Sequence, residues 1–440
     1  MLSLFKRTRE QSSELLVSQL LDEKTFYPAF EKDLNNCGYE LIIESPFITR
    51  RRYQSLLPAL QSLYNNSPGS PSYGLFCSGT VSSNCWWESA NELNNVINYT
   101  EQTGDYTYAH DISTTFKHAG LEFPRKIGPF LDRYNDDYGW WALTWLNAYK
   151  LTGNPSYLQT AINIFKYIQP HWTTLQCKGG VFQFNGGPNA KGQPATKDAI
   201  ANALYITLAS RLYQATGNAS EYLNGSSGAI AAANWFLNSG LIVPSGPEAG
   251  LVNDHLENPT PGASTNCIPQ ASQKSTYNQG EILNGLADLY QITHSQQYLN
   301  AAQKIAGAVL VDTNNSAPPL IDKNGILSET CQGGPYNCNL STSQPFLQWK
   351  GPMIRGLYCL NAVALNQEYV HFFMLNTNAL YVTYGVGKTK SPVGTPYGSL
   401  EYFGFLWDRY TTAQLGSATQ GSALDVIEAN LGGSQVMCYG

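Results

Sequence analysis

Charged side chains are scarce in this sequence. Asp, Glu, Lys and Arg fill 13% of its 440 positions, and 32 acids against 26 Lys and Arg leave a formal net charge of -6. Nucleic acids and anionic membranes select basic surfaces, so neither is expected as the main partner. Histidine occurs only six times, which argues against enzymes that use histidine to epimerise sugars. No apolar run approaches the roughly 20 residues needed to cross a bilayer. The first ten residues, Met-Leu-Ser-Leu-Phe-Lys-Arg-Thr-Arg-Glu, are too charged, with too short an apolar part, for a signal peptide. There is no CxxC…CxxC pattern, so structural zinc is not expected. No glycine-rich loop ends in Lys-Ser/Thr to cradle phosphate, and Gly225-Ser-Ser-Gly228 reads as a plain loop.

Aromatic residues are abundant at 12%, with 28 Tyr, 17 Phe and 9 Trp. Flat aromatic faces stack on the apolar C–H faces of pyranose rings, although Tyr-rich chains are also common among extracellular proteins. Nine cysteines are many for a cytosolic enzyme and ordinary for a secreted one. Cys77 with Cys85, and Cys331 with Cys338, are close enough in sequence for local disulfides, and the odd count leaves at least one thiol unpaired. Sequons at Asn65, Asn98, Asn218, Asn224, Asn314 and Asn339 lend weak support to a eukaryotic secretory origin.

An internal repeat organises most of the chain. Segments 99–109, 149–158, 213–223 and 290–299 share a Tyr, then Thr-Gly or a variant, then a Tyr beside an apolar residue. Each lies between two helical patterns. Gly104, Gly153 and Gly217, with His294 in the fourth slot, mark where a first helix stops in a left-handed cap. The Asn or Asp that follows is placed to cap the second helix. Each unit is therefore an αα-hairpin. The uneven intervals imply long loops, which fit a closed ring with loops gathered over one end better than an open superhelix. Helical stretches 352–364 with 372–384, and 417–431, bring the count near six hairpins. The first helix of each pair, rich in Ala and Gly, is expected on the inside.

Residues 1–52 differ. They are more densely charged and carry a strand-like run, Tyr39-Glu-Leu-Ile-Ile-Glu-Ser-Pro46, before Arg50-Arg51-Arg52. The segment loosely resembles the start of phospholipase-D-like domains but lacks that family's paired His-x-Lys motifs. It is read as a leader without activity, with the helical domain covering 53–440.

The sharpest local feature is Tyr134-Asn-Asp136-Asp137-Tyr-Gly-Trp140-Trp141-Ala-Leu-Thr-Trp145. An Asp-Asp pair ahead of a helix ordinarily serves as a cap and a dipole-favoured acid. Here it opens the first helix of a repeat unit, between long loops and beside three Trp. A retaining glycosidase needs two carboxyl groups about 5–5.5 Å apart, an inverting one about 6.5–9.5 Å. Neighbouring Cα atoms about 3.8 Å apart suit the shorter gap. Because adjacent residues of a regular helix do not face each other, the pair is expected in the non-helical turn leading into it. Trp141 and Trp145 are one turn apart and read as core, Trp140 as facing sugar, and one of Trp86 and Trp87 as walling a cleft. Asp254-His255 with Glu257 has no metal-specific spacing, so polar sugar contact is expected there and no metal.

These motifs make the chain resemble glycoside hydrolase family 76, the endo-α-1,6-mannanases, from about Leu56 to the C-terminus. The matching stretches are Trp86-Trp-Glu-Ser-Ala-Asn91, the Asp-Asp block, Lys197-Asp-Ala-Ile-Ala-Asn202, Gly250-Leu-Val-Asn-Asp254, Thr276-Tyr-Asn-Gln-Gly280, Asn324-Gly-Ile-Leu327, Trp349-Lys-Gly351 and Gln420-Gly-Ser-Ala-Leu424. The resemblance implies an (α/α)6 barrel, with Asp136 as nucleophile and Asp137 as acid/base. It implies Asn135, Trp87, Asn91, Trp140, Asp254, Tyr277, Asn278 and Gln279 as substrate contacts. Two stretches depart from the family. It usually has Lys-Asn-Ala where this chain has Lys197-Asp198-Ala199, and Gly-Gly-Gly-hydrophobic-Trp-Trp near Gly179-Gly-Val-Phe-Gln183.

The expectation is a secreted two-aspartate enzyme: a retaining endo-hydrolase of α-1,6-mannan, with transglycosylation open to it. It is expected to need no cofactor, to be a monomer, and to act on cell-wall or glycoprotein mannan. The alternatives are another (α/α)6 carbohydrate enzyme and a catalytically dead mannan-binding wall protein.

Overall fold

The computed structural model describes residues 46–440 apart from 78–84, 123–129, 132, 175, 185–195, 258–266, 271–273, 312–319, 333–344, 385–399, 401, 409–414, 433–437 and 439–440. The strand-like run at 39–45 lies outside the described residues, as do Cys338, Asn314 and Asn339.

The repeat sequence builds the same corner four times. Thr103, Thr152, Thr216 and Thr293 each donate Oγ1 to the carbonyl four residues back, at 2.6 Å. Each also accepts the backbone N–H two residues on, from Asp105, Asn154, Asn218 and Ser295, at 3.1–3.3 Å. The residue between turns left-handed: Gly104 (φ 71), Gly153 (φ 71), Gly217 (φ 72) and His294 (φ 56). Threonine thus satisfies a terminal carbonyl while glycine supplies the turn. The expected caps on the following helices form unevenly. Asn154 caps its helix through Ser156 N–H, and Asn218 caps a short π-helical turn, but Ser295 makes no side-chain cap.

Twelve α-helices are found among the described residues: α1 Pro46–Gln61, α2 Trp87–Thr103, α3 His110–Glu122, α4 Asn135–Thr152, α5 Pro155–Ile168, α6 Ala199–Thr216, α7 Ala229–Asn238, α8 Thr276–Thr293, α9 Gln296–Val309, α10 Lys350–Val363, α11 Gln367–Tyr384 and α12 Ser417–Asn430. The even-numbered helices pack each on the next, and α12 closes back on α2. The odd-numbered helices lie outside this ring, so the fold is an (α/α)6 barrel. Burial matches the assignment. α8 is buried at Thr276 and continuously from Asn278 to Leu289, whereas α5 buries only Tyr157, Ala161, Ile164, Phe165 and Ile168, one helical stripe.

Two glycines set the tightest crossing. A Cβ at Gly356 of α10 would fall on the carbonyl oxygen of Gly280 in α8, and one at Gly280 would fall on the Met353 backbone. The barrel axis is polar. Arg355 pairs with Asp425 (2.6 Å) and holds Asn91, while Arg211 pairs with Asp288 (2.8 Å). Beside them Asn94, Asn98, Asn147, Glu281 and Asn284 line a cavity of about 20 Å³, room for about one water. Disulfides join Cys77–Cys85, as expected, and also Cys177–Cys267 and Cys359–Cys438. No described helix is long and apolar enough to cross a membrane.

Candidate active site

The inner helices present their N-terminal ends to one another around the ring. Trp87 of α2 stacks on Trp140 of α4, with ring centroids 5.9 Å apart. The α4 start is tied to the strand before α6, because Gln183 accepts from Asn135 N–H (2.9 Å) and donates to Thr196 O (3.0 Å). Ala199 N–H at the start of α6 donates to Asp254 O (2.8 Å), and Asn278 of α8 donates to Asp254 Oδ1 (3.2 Å). Tyr277 of α8 stacks on Trp349 at the head of α10 (4.6 Å, 8° between planes). Gln348 donates to Glu88 O (3.2 Å) and so returns to α2. A small antiparallel sheet sits on this end: β1 Thr196–Asp198, β2 His255–Glu257 and β3 Ile268–Pro269, with Asp198 opposite His255.

Asp136 and Asp137 occupy the first turn of α4. The sequence suggested a non-helical turn, but the helix begins at Asn135 and its cap is Tyr134, in extended geometry. First-turn N–H groups lack helical acceptors, and Asp136 Oδ1 takes that of Asp137 (3.0 Å), so the acids themselves complete the turn. Both are partly exposed. Successive helical side chains diverge by about 100°, so the two carboxyls leave the helix in different directions.

More acids gather here than the sequence signalled. The Tyr277 phenol is pushed well up by burial and then by the nearby charges of Asp254, Asp136, Asp198 and Glu329. Asp198, the residue before α6, is pushed up to about 7 by burial and then by Asp254, with Asp136 adding to the effect and Thr196 and His255 opposing it. Glu329 is pushed up to about 7, mainly by burial, and accepts from Thr276 N–H (3.2 Å) and hydroxyl. Asp198 was visible only as a departure from the family's asparagine. Trp349 lay in a matching stretch, and nothing local marked it as the partner of Tyr277. Glu329 carried no sequence signal.

The expected sugar contacts divide into two groups. Trp87, Asp254 and Tyr277 are partly exposed around the acids. Asn135, Asn91, Trp140, Asn278 and Gln279 are buried. Asn135 donates to Phe182 O (2.7 Å) and holds the chain below the aspartates. Asn91 bonds Gln348 and Arg355 and, with Trp140, lines the axial cavity rather than the groove. Gln279 spends its amide on both backbone groups of Val252 (2.7 and 2.9 Å) and on Ser275 O (3.1 Å), pinning the loop that carries Asp254. Trp141 and Trp145 are fully buried core residues, and Trp86 packs on Trp141 and Phe130. Among the described residues no cluster of His, Cys, Asp and Glu is arranged to hold a metal.

The chain is similar to known proteins in sequence and in fold. The mannan endo-1,6-alpha-mannosidase DFG5 of Saccharomyces cerevisiae is 30% identical over 170 residues, covering 36% of this chain and 33% of the relative. The enzyme DCW1 of Eremothecium gossypii is 24% identical over 268 residues, 58% of this chain and 54% of the relative. The chain thus spans a third to about half of these relatives. The GH76A alpha-1,6-mannanase of Salegentibacter sp. HEL1_6 superposes with a TM-score of 0.68 at 22% identity, over 86% of this chain and 97% of that one. An inactive form of it with two aspartates replaced is known in complex with alpha-1,6-mannotetrose. Dfg5 of Chaetomium thermophilum, in complex with glucosamine, superposes with a TM-score of 0.68 at 19% identity, over 90% and 92% of the two chains. The sequence profile of glycosyl hydrolase family 76 matches residues 51–435, nearly the whole barrel and every acid of the groove, and the chain therefore belongs to that family.

Proposed function

We propose that this chain is a retaining endo-hydrolase of α-1,6-mannosidic bonds. The observation that carries the reading is the pair Asp136–Asp137, partly exposed on the first turn of an inner helix, at the end of the ring that carries the partly exposed Trp87 and the Tyr277–Trp349 stack. The relatives' activity on α-1,6-mannan supports the substrate.

Asp136 attacks the anomeric carbon as Asp137 protonates the leaving oxygen. The glycosidic C–O bond breaks, an ester to Asp136 forms, and the configuration inverts. Asp137, now a carboxylate, takes a proton from an incoming water, which displaces Asp136 with a second inversion. An acceptor sugar hydroxyl in place of that water makes the same step a transglycosylation. The N-terminus of α4 favours the anionic nucleophile, and no external cofactor is needed to balance either step. Three disulfides among the described residues support an oxidising, extracellular or cell-wall setting. The sequence placed the start of the helical domain at residue 53, but α1 already begins at Pro46, and the domain is proposed to run from there.

The test is reducing-end release from linear α-1,6-mannan, with the product anomer followed by NMR. Wild type should release α-configured ends, and Asp136→Asn should lower the rate by at least about 10³-fold while retaining binding. A wild-type chain that binds the mannan without cleaving it would sink the enzyme reading and leave a binding protein.

A further inference from the structure

His255 has no part in the two-aspartate chemistry, yet both of its ring nitrogens are engaged by carboxylates. Its Nδ1 lies 2.8 Å from Asp254 Oδ2 and its Nε2 lies 3.2 Å from Glu257 Oε1. Both partners are carboxylate oxygens and accept only. A neutral imidazole has one N–H, so two such contacts require the doubly protonated ring. The chain of contacts continues in both directions. Gln270, the residue after β3, donates to Glu257 Oε2 (2.7 Å), and Asn278 of α8 donates to Asp254 Oδ1 (3.2 Å). Asp198 stands across the ladder from His255, and Asp136 lies beyond it within electrostatic range. Tyr277 completes the set of ionisable neighbours. These groups are not sealed in the core: His255, Asp254 and Glu257 are 21%, 25% and 46% exposed.

We propose that His255 is a positioning residue, an imidazolium clamped between Asp254 and Glu257 that fixes the Asp254 carboxylate to accept sugar hydroxyls in the groove. The proposal rests on Asp254 being a sugar contact. A carboxylate has about four acceptor directions, of which His255 and Asn278 use two and set the orientation of the others. Fixing it in advance removes an ordering cost that substrate binding would otherwise bear. The contact to Asp254, then that to Glu257 and the charge of Asp198, push His255 up to about 9 against the opposing effect of burial. The clamp therefore holds through neutral pH and opens as pH rises through about 9.

The experiment measures the dissociation constant of α-1,6-linked mannotetraose by calorimetry, on the full chain carrying Asp136→Asn so that no turnover intervenes. Adding His255→Phe should weaken binding about tenfold, with an unchanged melting temperature. Adding Asp254→Ala should weaken it at least as much, and the two together should match Asp254→Ala alone, because the histidine acts through the aspartate. His255→Lys, which keeps a cation, should recover part of the loss. Binding by the parent should weaken as pH rises through about 9, and the His255→Phe form should lack that limb. Equal loss from His255→Phe with and without Asp254 would overturn the proposal, as would full affinity in either single variant. Failure of the wild-type chain to cleave mannan would refute the hydrolase reading and leave this comparison intact.

Discussion

Replacing Glu88 by Gln isolates a single buried proton. Glu88 lies in the first turn of α2 with 5% of its surface exposed, and among the described residues its Oε2 has no hydrogen-bond partner. The helix N-terminus favours a carboxylate there, but burial outweighs it and pushes the group from 4.5 up to about 8. The native state keeps a proton that the unfolded chain gives up. Between those two values folding takes up a proton, so stability falls as pH rises. Each pH unit inside the window is worth about 1.4 kcal/mol. From pH 5 to pH 8 the group alone costs about 3–4 kcal/mol. Gln has the same shape as the protonated acid and does not titrate. Urea unfolding of wild type and Glu88→Gln at both pH values gives the double difference, in which every other ionisable group cancels. The variant should match wild type at pH 5 within about 1 kcal/mol and exceed it by about 3–4 kcal/mol at pH 8. Equal gaps at the two pH values would show that Glu88 is ionised in the folded protein at pH 5, and the burial argument would fail.

Three further outcomes follow from the fold. Gly356→Ala should destabilise the protein by about 3 kcal/mol or more, because the added methyl meets Gly280 backbone rather than a movable side chain; a melting temperature within 2 °C of wild type, about the change expected from 1 kcal/mol in a chain of this size, would refute the close α8–α10 crossing. His294→Gly should stabilise by up to about 1 kcal/mol by relieving a left-handed non-glycine residue (φ 56), read as a higher urea midpoint, whereas a lower midpoint would mean that the ring itself supports the cap. Peptide mapping after secretion from a eukaryotic host should find no glycan on Asn98, whose buried amide donates to Glu428 (3.3 Å), while exposed Asn218 and Asn224 are accessible to modification; a glycan at Asn98 would contradict its burial.

Much of the architecture was legible because it rests on local rules. A threonine that bonds back one turn and a residue able to turn left-handed must end a helix wherever they occur together, so four hairpin corners could be read from the Tyr-Thr-Gly repeat, including the one where His294 replaces glycine. The Asp136–Asp137 pair was visible for the same reason, since consecutive acids at a helix start are a local pattern. Its helical setting was misjudged, because the rule that helical neighbours diverge was taken to exclude the helix, whereas both acids lie in the first turn of α4 and are partly exposed. Asn91 and Gln279 were placed among sugar contacts by motif position, and only packing shows that their amides serve Arg355, Gln348 and the Val252 loop.

The sequence by itself determined the helical hairpins, their inside and outside faces, and the two acids at the head of α4, because capping, periodicity and adjacency operate within a few residues. Closure of the ring, the meeting of Asp198, Asp254, His255 and Glu257 on one small sheet, and the Tyr277–Trp349 stack were decided by tertiary structure alone. These groups come from segments up to about 150 residues apart, as between Asp198 and Trp349. Electrostatic and aromatic contacts depend on distance in space, which no spacing along the chain encodes until the barrel has closed.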